Sequence, residues 1–248
     1  MRVNIEDLAV CYGATQALSD ITLTAEPGEV MAVIGPNGSG KSSLVKAIAG
    51  LVRCSGRVAF ETGDGDQPRI GYMPQDISSR AALTVLEAVL LGRLGQLGLR
   101  VKPDDLAMAQ TVLQELDLGG LAGRYLGELS GGQRQLVFLA QALASEPNLL
   151  LLDEPISALD IRHQLEVMLI VRQLTHQRGL TTIVILHDLN IAARFADTVA
   201  VISAGKLVCH GRPAAVIEPS MVASVFGVDA AMSAAPDGSL VVTALRPV

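Results

Sequence analysis

Aromatic residues and cysteines are both scarce in this 248-residue chain. It contains no tryptophan, three tyrosines, four phenylalanines and three cysteines. The cysteines, Cys11, Cys54 and Cys209, lie far apart in the sequence and form no CxxC pair. An odd number of isolated cysteines argues against a disulfide framework, so we expect reduced thiols, buried or incidental, in a cytosolic protein.

Long hydrophobic runs are also missing. No apolar stretch approaches the roughly 18–20 residues that a helix needs to cross a bilayer. The first residues, Met1–Asp7, lack the charged-then-apolar layout of a signal peptide. We therefore expect a soluble cytoplasmic protein, which would serve a membrane only through a partner.

The chain has no run of lysine and arginine. Acidic residues outnumber basic ones by 25 to 19, which gives a net charge of -6. Nucleic-acid-binding proteins usually carry a basic surface, so no nucleic acid is expected as a partner. Half of the residues are hydrophobic and 18% are charged, which excludes a disordered chain and suits one mid-sized domain.

The N-terminal part of the chain is dominated by apolar segments of β type. Four predicted strands cover Val3–Val10, Leu18–Thr24, Val30–Ile34 and Arg57–Phe60. The third is continuously apolar rather than alternating, which is typical of a strand buried on both faces. It leads into a glycine-rich loop and a predicted helix at Lys41–Leu51. Strand, loop and helix in this order indicate an α/β nucleotide-binding fold.

The segment from about residue 80 to residue 147 has helical character. Thr84 and Glu87 have the spacing of a capping box. Pro103 and the two acids after it open another helix. Ser130 caps a third, which runs to about Ser145. We therefore predict a helical insertion within the α/β core.

Beyond the insertion the α/β pattern returns. A strand, an amphipathic helix ended by Gly179, a second strand and a hairpin are predicted at Leu149–Asp153, Ile161–Arg178, Thr181–Leu186 and Val199–Ser203 with Leu207–His210. Turn-forming residues at 235–239, followed by apolar residues at 240–243, predict another small hairpin at the C-terminus.

A glycine-rich motif follows the third predicted strand. The segment Gly35-Pro36-Asn37-Gly38-Ser39-Gly40-Lys41-Ser42 matches the phosphate-binding pattern GxxxxGK[ST] at every fixed position. Successive backbone N–H groups can face the phosphates, and the following helix presents its positive end to the same anion. Lys41 would neutralise the β- and γ-phosphates of ATP, and the Ser42 hydroxyl would bind Mg²⁺. The alternative, a chance glycine turn that contains a lysine, is disfavoured by the flanking strand and helix.

Two acids end the predicted strand Leu149–Asp153. A carboxylate at the C-terminal edge of a strand beside a phosphate-binding loop is suited to anchoring Mg²⁺, the role predicted for Asp153. Glu154, one residue further, could polarise the attacking water. A solvated strand end is the alternative, and the position of the acids well downstream of a phosphate-binding loop favours the ATPase interpretation.

A third motif, Leu129-Ser130-Gly131-Gly132-Gln133, opens a predicted helix with a serine cap and two glycines. Its exposed amides and the helix dipole would make it a second anion site, although an ordinary capped helix can start in the same way. Together with the phosphate-binding loop, this LSGGQ sequence resembles the signature of ABC ATPases, and the resemblance covers nearly the whole chain.

The resemblance implies roles for further residues. Tyr12 would stack on the adenine ring, Gln75 would touch Mg²⁺, and His187 would contact the γ-phosphate. Ser43 keeps a hydroxyl where the family usually has threonine, and Ser157–Asp160 would line a dimer interface. From the residues alone, a strand-surface tyrosine and a glutamine in a turn remain alternatives. The other histidines are predicted to be structural or exposed: His163, His176 and His210.

The fold that the resemblance implies is α/β: a P-loop NTPase core of the ABC type with N-terminal antiparallel β strands and an inserted α-helical subdomain. Residues 1–248 would form a single ABC ATPase domain. Its α/β core would occupy 1–79 and 148–230, the helical subdomain 80–147 and a C-terminal tail 231–248. ATP and Mg²⁺ are the implied cofactors.

The resemblance also implies partners. Each ATP would lie between the P-loop of one subunit and the signature, Ser130–Gln133, of the other, in a head-to-tail homodimer. Lys41, Glu154 and His187 would carry the catalysis. Two transmembrane permease subunits would dock near residues 76–100, with this chain peripheral at the cytoplasmic face of the inner (plasma) membrane. An external substrate-binding protein would take part indirectly.

Several segments resemble importers of iron chelates, a group that also contains haem and cobalamin importers. They are Leu159–Val167 with its His-Gln pair, His187–Asp197, Val225–Val228 and the Gly92-Arg93 pair. The implied cargo is a ferric siderophore, with cobalamin or haem as alternatives. A non-transport ABC ATPase for iron–sulfur assembly stays open, because one acidic cassette with a short insertion disfavours only the DNA-repair and ribosome types.

Overall fold

The computed structural model describes residues 1–62, 67–75, 82–93, 101–157 and 159–248. Within these ranges the strands form a three-stranded antiparallel sheet, a six-stranded central sheet and a two-stranded sheet near the C-terminus. This is the mixed α/β architecture that the sequence predicts.

The antiparallel sheet is built by β1 (Arg2–Tyr12), β2 (Thr15–Ala25) and β4 (Cys54–Glu61). β1 lies in the middle and pairs with both neighbours. Val3 and Ile5 on β1 are buried, whereas the residues between and beside them are more exposed. This alternation places one face of the sheet on the core and the other toward solvent.

The strands of the central sheet are β3 (Val30–Ile34), β5 (Ile70–Met73), β6 (Leu149–Asp153), β7 (Thr181–Ile185), β8 (Thr198–Ser203) and β9 (Lys206–Gly211). Their spatial order is β5-β6-β7-β3-β8-β9. The first five pair in parallel, and β9 pairs antiparallel with β8. Because parallel strands end at the same edge, the loops after β3, β6 and β7 lie side by side.

The α-helices of the described residues are α1 (Lys41–Ile48), α2 (Val85–Leu91), α3 (Pro103–Glu115), α4 (Gly131–Ala144), α5 (Ile161–Arg178), α6 (Leu189–Phe195), α7 (Pro213–Val216) and α8 (Pro219–Met221). α1 ends at Ile48 rather than at Leu51, because Gly50 turns the chain with φ +70°. The predicted caps at Thr84 and Ser130 are present, and each side chain accepts a hydrogen bond from the backbone of its helix.

Successive side chains of the central strands point to opposite faces of the sheet and pack into two separate hydrophobic cores. Leu149 and Leu151 of β6 pack with α1 and the antiparallel sheet. Leu150 and Leu152 pack on the opposite face, with residues of α2, α3, α4 and α5. Every residue of β3, β6 and β7 is buried. The continuous apolar runs in the sequence therefore correspond to strands covered on both faces.

A buried ion pair fastens the end of α2 to its neighbours. Arg93 donates to the Asp105 carboxylate at 2.8 Å and to the Ala144 carbonyl oxygen at 2.9 Å. The hydrogen bond from this guanidinium holds the pKa of Asp105 below its usual value. Gly92 lies so close to α4 that a Cβ there would approach the Gln141 carbonyl oxygen to 1.9 Å. The Gly92-Arg93 pair therefore joins the end of α2 to α3 and α4.

The predicted C-terminal hairpin is confirmed, and it is longer than expected. It consists of β10 (Val228–Ala234) and β11 (Leu240–Pro247), which pair in antiparallel fashion. Asn190 of α6 fastens it to the core: its side chain accepts from the Val242 amide at 2.7 Å and donates to the Val242 carbonyl oxygen at 3.2 Å. The hairpin is therefore joined to the helix that follows His187.

In the part of the chain that the structure describes, no helix has both the length and the apolarity that a membrane crossing requires. The cysteines are free thiols: Cys11 and Cys54 are exposed, and Cys209 is partly exposed.

Candidate functional site

Two glycines shape the loop between β3 and α1. Gly35 has φ +151°, and a Cβ there would lie 1.9 Å from the Ile202 carbonyl oxygen. Gly40 has φ +104°, and a Cβ there would lie 2.6 Å from the Ala17 carbonyl oxygen. Other residues would be strained in these conformations and would clash with backbone oxygens. The loop is thus pressed against β8 on one side and β2 on the other.

The start of α1 carries polar groups suited to an anion. Gly40 precedes the helix without a side-chain hydrogen bond to cap it, so the first helical N–H groups are available to a ligand. The buried Ser39 hydroxyl has no hydrogen-bond partner among the described residues. Unpaired donors around a helix N-terminus fit the phosphates of a nucleotide.

Lys41 lies inside this loop. Its side chain is 5% exposed and donates from Nζ to the carbonyl oxygens of Gly35 and Pro36, at 2.9 Å each. Burial lowers the pKa of this ammonium group, and the charges of Glu154 and Asp153 act in the opposite direction. A cation that is desolvated in this way interacts strongly with an incoming anion.

Ser42 and Asp153 bring a hydroxyl and a carboxylate together beside the loop. The Ser42 hydroxyl donates to Asp153 Oδ1 at 3.0 Å. Burial raises the pKa of Asp153, and the hydrogen bond from Ser42 opposes that rise. The described residues contain no group of three or more His, Cys, Asp or Glu side chains that could hold a metal. The pair fits Mg²⁺, which takes few protein ligands and completes its shell with water and phosphate oxygens.

Glu154 follows β6 and has a left-handed backbone, with φ +56°. One carboxylate oxygen accepts a hydrogen bond from Gln75 Nε2 at 2.8 Å, and the other lies 2.5 Å from His187 Nε2. The Glu154 side chain is 11% exposed. Gln75 and His187, two predicted site residues from distant parts of the sequence, therefore both contact the carboxylate of Glu154.

A cavity of about 790 Å³ joins these groups. Its lining contains the predicted residues Tyr12, Asn37, Gly38, Ser39, Gly40, Lys41, Ser42, Ser43, Gln75, Glu154 and His187. Tyr12 is 48% exposed, so its ring has room to stack on a ligand. Ala17 also lines the cavity. No sequence signal marks Ala17, since it reaches the cavity only because β2 packs against the loop.

Tyr72, on β5, lies near Asp153 but is not among the described residues that line the 790 Å³ cavity. Its hydroxyl is buried and has no hydrogen-bond partner in the described part of the chain. Burial, together with the nearby charge of Asp153, raises the pKa of Tyr72 to about 12. Both effects favour the neutral phenol, close to the proposed Mg²⁺ anchor.

The signature segment does not line this cavity. Ser130 and Gln133 form a reciprocal cap at the start of α4: the Ser130 hydroxyl accepts from the Gln133 amide at 3.2 Å, and Gln133 Oε1 accepts from the Ser130 amide at 3.1 Å. Of the described residues that line the 790 Å³ cavity, none belongs to Ser130–Gln133. One chain therefore presents two separate candidate anion sites.

His163 contacts the signature helix. A Cβ on Gly132 would lie 2.8 Å from His163 Cδ2, so the imidazole occupies the space that the glycine leaves open. His163 Nδ1 lies 2.8 Å from Asp160 Oδ1, which also accepts from the His163 amide at 3.0 Å. These hydrogen bonds lower the pKa of Asp160. His176 and His210 do not line the cavity.

Comparison with known proteins agrees with this geometry. The profile of a family described as ABC transporter matches residues 18–157. The hemin import ATP-binding protein HmuV of Myxococcus xanthus is 40% identical to this chain over 242 residues, which cover 92% of this chain and 90% of that protein.

Two solved structures extend the comparison. A chain described as part of a metal-chelate type ABC transporter in an inward-facing conformation superposes with a TM-score of 0.89 at 29% identity, covering 98% of this chain and 97% of that one. A dimeric post-hydrolysis state of an ATP-binding cassette, bound to ADP and Pi, superposes with a TM-score of 0.74 at 28% identity, covering 85% of this chain and 98% of that one. The chain therefore belongs to the ABC transporter family, as an ATP-hydrolysing cassette.

Proposed function

We propose that this chain is the ATP-hydrolysing subunit of an importer for haem or a related metal chelate. The observation that carries the proposal is similarity along almost the whole chain to proteins named for hemin import, from Myxococcus xanthus and from Rhizobium meliloti. The likeness to a transporter of metal-chelate type supports the same class of cargo.

The phosphates of ATP would bind over the loop between β3 and α1. The unpaired amides at the start of α1 would face them, and Lys41 would leave its two carbonyl partners to donate to phosphate oxygens. The adenine ring would stack on Tyr12, whose exposed ring lines the same cavity. Asn37, Gly38 and Ser43 would complete the wall.

Mg²⁺, when bound, would neutralise charge on the phosphates and hold them in line for displacement. Ser42 would be a direct ligand, and Asp153, its hydrogen-bond partner, would orient it and hold a water of the metal. Gln75 would complete the group after its side chain leaves Glu154. Two oxygen-bearing side chains and a glutamine are the small ligand set that Mg²⁺ tolerates.

Glu154 would act on the attacking water. Its carboxylate lines the cavity, and its contact with His187 holds it in place. The carboxylate would accept a proton from the water, and His187 would orient the γ-phosphate and keep the carboxylate aligned. Catalysis in such a site depends on positioning and on charge stabilisation by Lys41 and the loop amides.

The signature helix would serve a second copy of the chain. Ser130–Gln133 lies outside the lining of its own subunit's cavity. The Gly131 and Gly132 amides, which the cap between Ser130 and Gln133 does not use, would suit a nucleotide bound by a partner. A two-fold, head-to-tail homodimer would close two equivalent sites. A dimeric cassette among the structural relatives supports this arrangement. Ser157–Asp160 would lie at the interface, and Ala158 within it is outside the described residues.

Transport would need two permease subunits, with an external substrate-binding protein supplying the cargo to them. The chain would dock on the permeases peripherally, at the cytoplasmic face of the membrane. The predicted docking segment, 76–100, includes residues 76–81 and 94–100, which lie outside the described residues. Leu91, at the described edge of that segment, is 37% exposed and could join such an interface.

Uptake measurements test the proposal. Cells that lack this gene would be offered labelled haem, a labelled ferric siderophore and labelled cobalamin in separate assays. We expect only haem uptake to be lost, restored by the wild-type gene and by Lys206→Ala, whose side chain is exposed on β9. Lys41→Ala should not restore it, because the lysine that faces the nucleotide is gone.

Ferric siderophore is the second candidate cargo, favoured by the resemblance of Leu159–Val167 to iron-chelate importers. Loss of siderophore uptake alone would establish that candidate and reject haem. If all three uptakes persist and the chain does not copurify with an integral membrane protein in detergent, a non-transport role such as iron–sulfur assembly would replace both.

A further inference from the structure

One side chain of α5 holds the loop that follows Glu154. Gln164 Nε2 donates to the carbonyl oxygen of Leu159 at 3.1 Å and to that of Ile156 at 3.3 Å. A single amide group thereby ties Ile156 and Leu159 to the first turn of α5.

This loop fixes the conformation of Glu154. Ser157 donates to the Glu154 carbonyl oxygen from its amide at 3.4 Å and from its hydroxyl at 3.3 Å. A left-handed backbone at a residue other than glycine costs about 1–3 kcal/mol and persists only where the surroundings enforce it. The φ of +56° at Glu154 therefore depends on the loop, and the loop is anchored by Gln164.

Gln164 also lies close to the catalytic pair. It lines a second cavity, of about 170 Å³, together with Glu154, Ser157 and His187. Glu154 and His187 line both this cavity and the larger one that would hold ATP. Gln164 therefore lies beside the two residues proposed to act on the water.

The residue before Gln164 reaches the signature helix. His163 packs on Gly132, where a Cβ would come within 2.8 Å of the ring. The first turn of α5 therefore contacts two elements: the loop that carries this subunit's own Glu154, and the helix that would face the partner's ATP. This second contact matters for catalysis only if the head-to-tail dimer of the proposed function holds.

We propose that Gln164 is a positioning residue for ATP hydrolysis. It keeps Glu154 aligned by donating two hydrogen bonds to the loop. These bonds also hold the loop against the first turn of α5, whose His163 contacts Gly132 of the signature. The role requires a neutral donor, because both of its partners are carbonyl oxygens.

Gln164→Glu tests this requirement in the full-length chain. The substituted carboxylate has the same size but cannot donate at neutral pH, and it repels the two carbonyl oxygens. We expect kcat to fall by about tenfold to a hundredfold, as for a misplaced catalytic group, with KM for ATP and equilibrium ATP binding unchanged. Gln173→Glu is the matched control, because Gln173 is exposed on the same helix, and it should keep the wild-type kcat.

A wild-type kcat in Gln164→Glu would overturn the proposal, and so would a loss of kcat accompanied by an equal loss of ATP affinity. Gln164→Ala, followed by thermal melting, separates positioning from folding. Reduced kcat in a variant that is fully folded at the assay temperature supports positioning, whereas a loss that appears only as the variant melts contradicts it. Light scattering of the wild-type chain during ATP turnover tests the dimer independently: hydrolysis by a species of monomer mass would reject the dimer and leave the kcat ratio as the test of Gln164.

Discussion

Replacing Glu154 by glutamine tests the chemistry assigned to the cavity. The wild-type carboxylate accepts a hydrogen bond from Gln75 at 2.8 Å and lies 2.5 Å from His187 Nε2. A glutamine has the same size and the same backbone preference, so the strain at φ +56° is unchanged. It has one acceptor oxygen instead of two, carries no charge and cannot take a proton from water.

The expected magnitude follows from these losses. A positioned general base contributes about 10²–10⁴-fold to a rate, so kcat should fall by that factor, equivalent to roughly 3–5 kcal/mol in the activation barrier. ATP affinity should stay equal or rise, because a negative charge facing the phosphates is removed. One of two hydrogen bonds is retained, so the free energy of unfolding should change by no more than about 1 kcal/mol.

Single-turnover hydrolysis, calorimetric ATP binding and urea unfolding measure these three effects, and size-exclusion chromatography with ATP reports the dimer. The variant should bind ATP, hydrolyse it very slowly and accumulate as a stable dimer. Glu218→Gln is the control, since Glu218 is exposed and does not line the cavity. A kcat within tenfold of the wild type, or a loss of ATP binding as large as the loss of rate, would refute the role assigned to Glu154.

Three further variants probe the loop, the metal anchor and the hairpin. Gly35→Ala puts a Cβ 1.9 Å from a backbone oxygen and should abolish ATP binding by calorimetry, whereas Gly120→Ala, with no atom within 4 Å of the added carbon, should not. Burial raises the pKa of Asp153, so the folded state binds more protons than the unfolded chain between the ordinary and the raised pKa, and stability falls as pH rises through that window. Asp153→Asn should therefore raise the free energy of unfolding in urea at neutral pH, a gain that disappears as pH falls below the ordinary aspartate pKa; a gain that persists there would contradict the reasoning. Asn190→Ala removes both hydrogen bonds to β11 and should lower the free energy of unfolding by about 1–2 kcal/mol, with no loss in the exposed control Gln173→Ala.

The fold was predictable because the signals that carry it act over short distances. The strand, glycine loop and helix across Val30–Ile48 are consecutive, and the caps at Thr84 and Ser130 satisfy amides within their own first turns. A phosphate-binding loop needs only the local spacing of its glycines and lysine. The convergence of Lys41 and Glu154 on one cavity follows from the parallel sheet, whose strands end at a shared edge.

The features that the sequence reasoning missed join residues far apart in the chain. β5 has four residues and is a strand because it pairs with β6. The bond from Gln75 to Glu154 spans 79 residues, and that from Arg93 to Ala144 spans 51. Contacts between residues so far apart produce no periodic pattern in the sequence from which they could be predicted. The roles of the individual site residues stay predictions until the variants above are measured.

Leu149–Leu152, the four consecutive leucines of β6, are divided between two cores. Effects of substitutions add when the sites share no contacts, and they depart from additivity when the sites do. Leu150 and Leu151 are adjacent along the chain yet pack into opposite cores, so a double substitution there should couple less than one at two leucines of the same core. Leu150 and Leu152 share a face and should couple. Substitutions at Leu150 and Leu152 can therefore alter the core beside the helices, while Leu149 and Leu151 keep the core beside the antiparallel sheet.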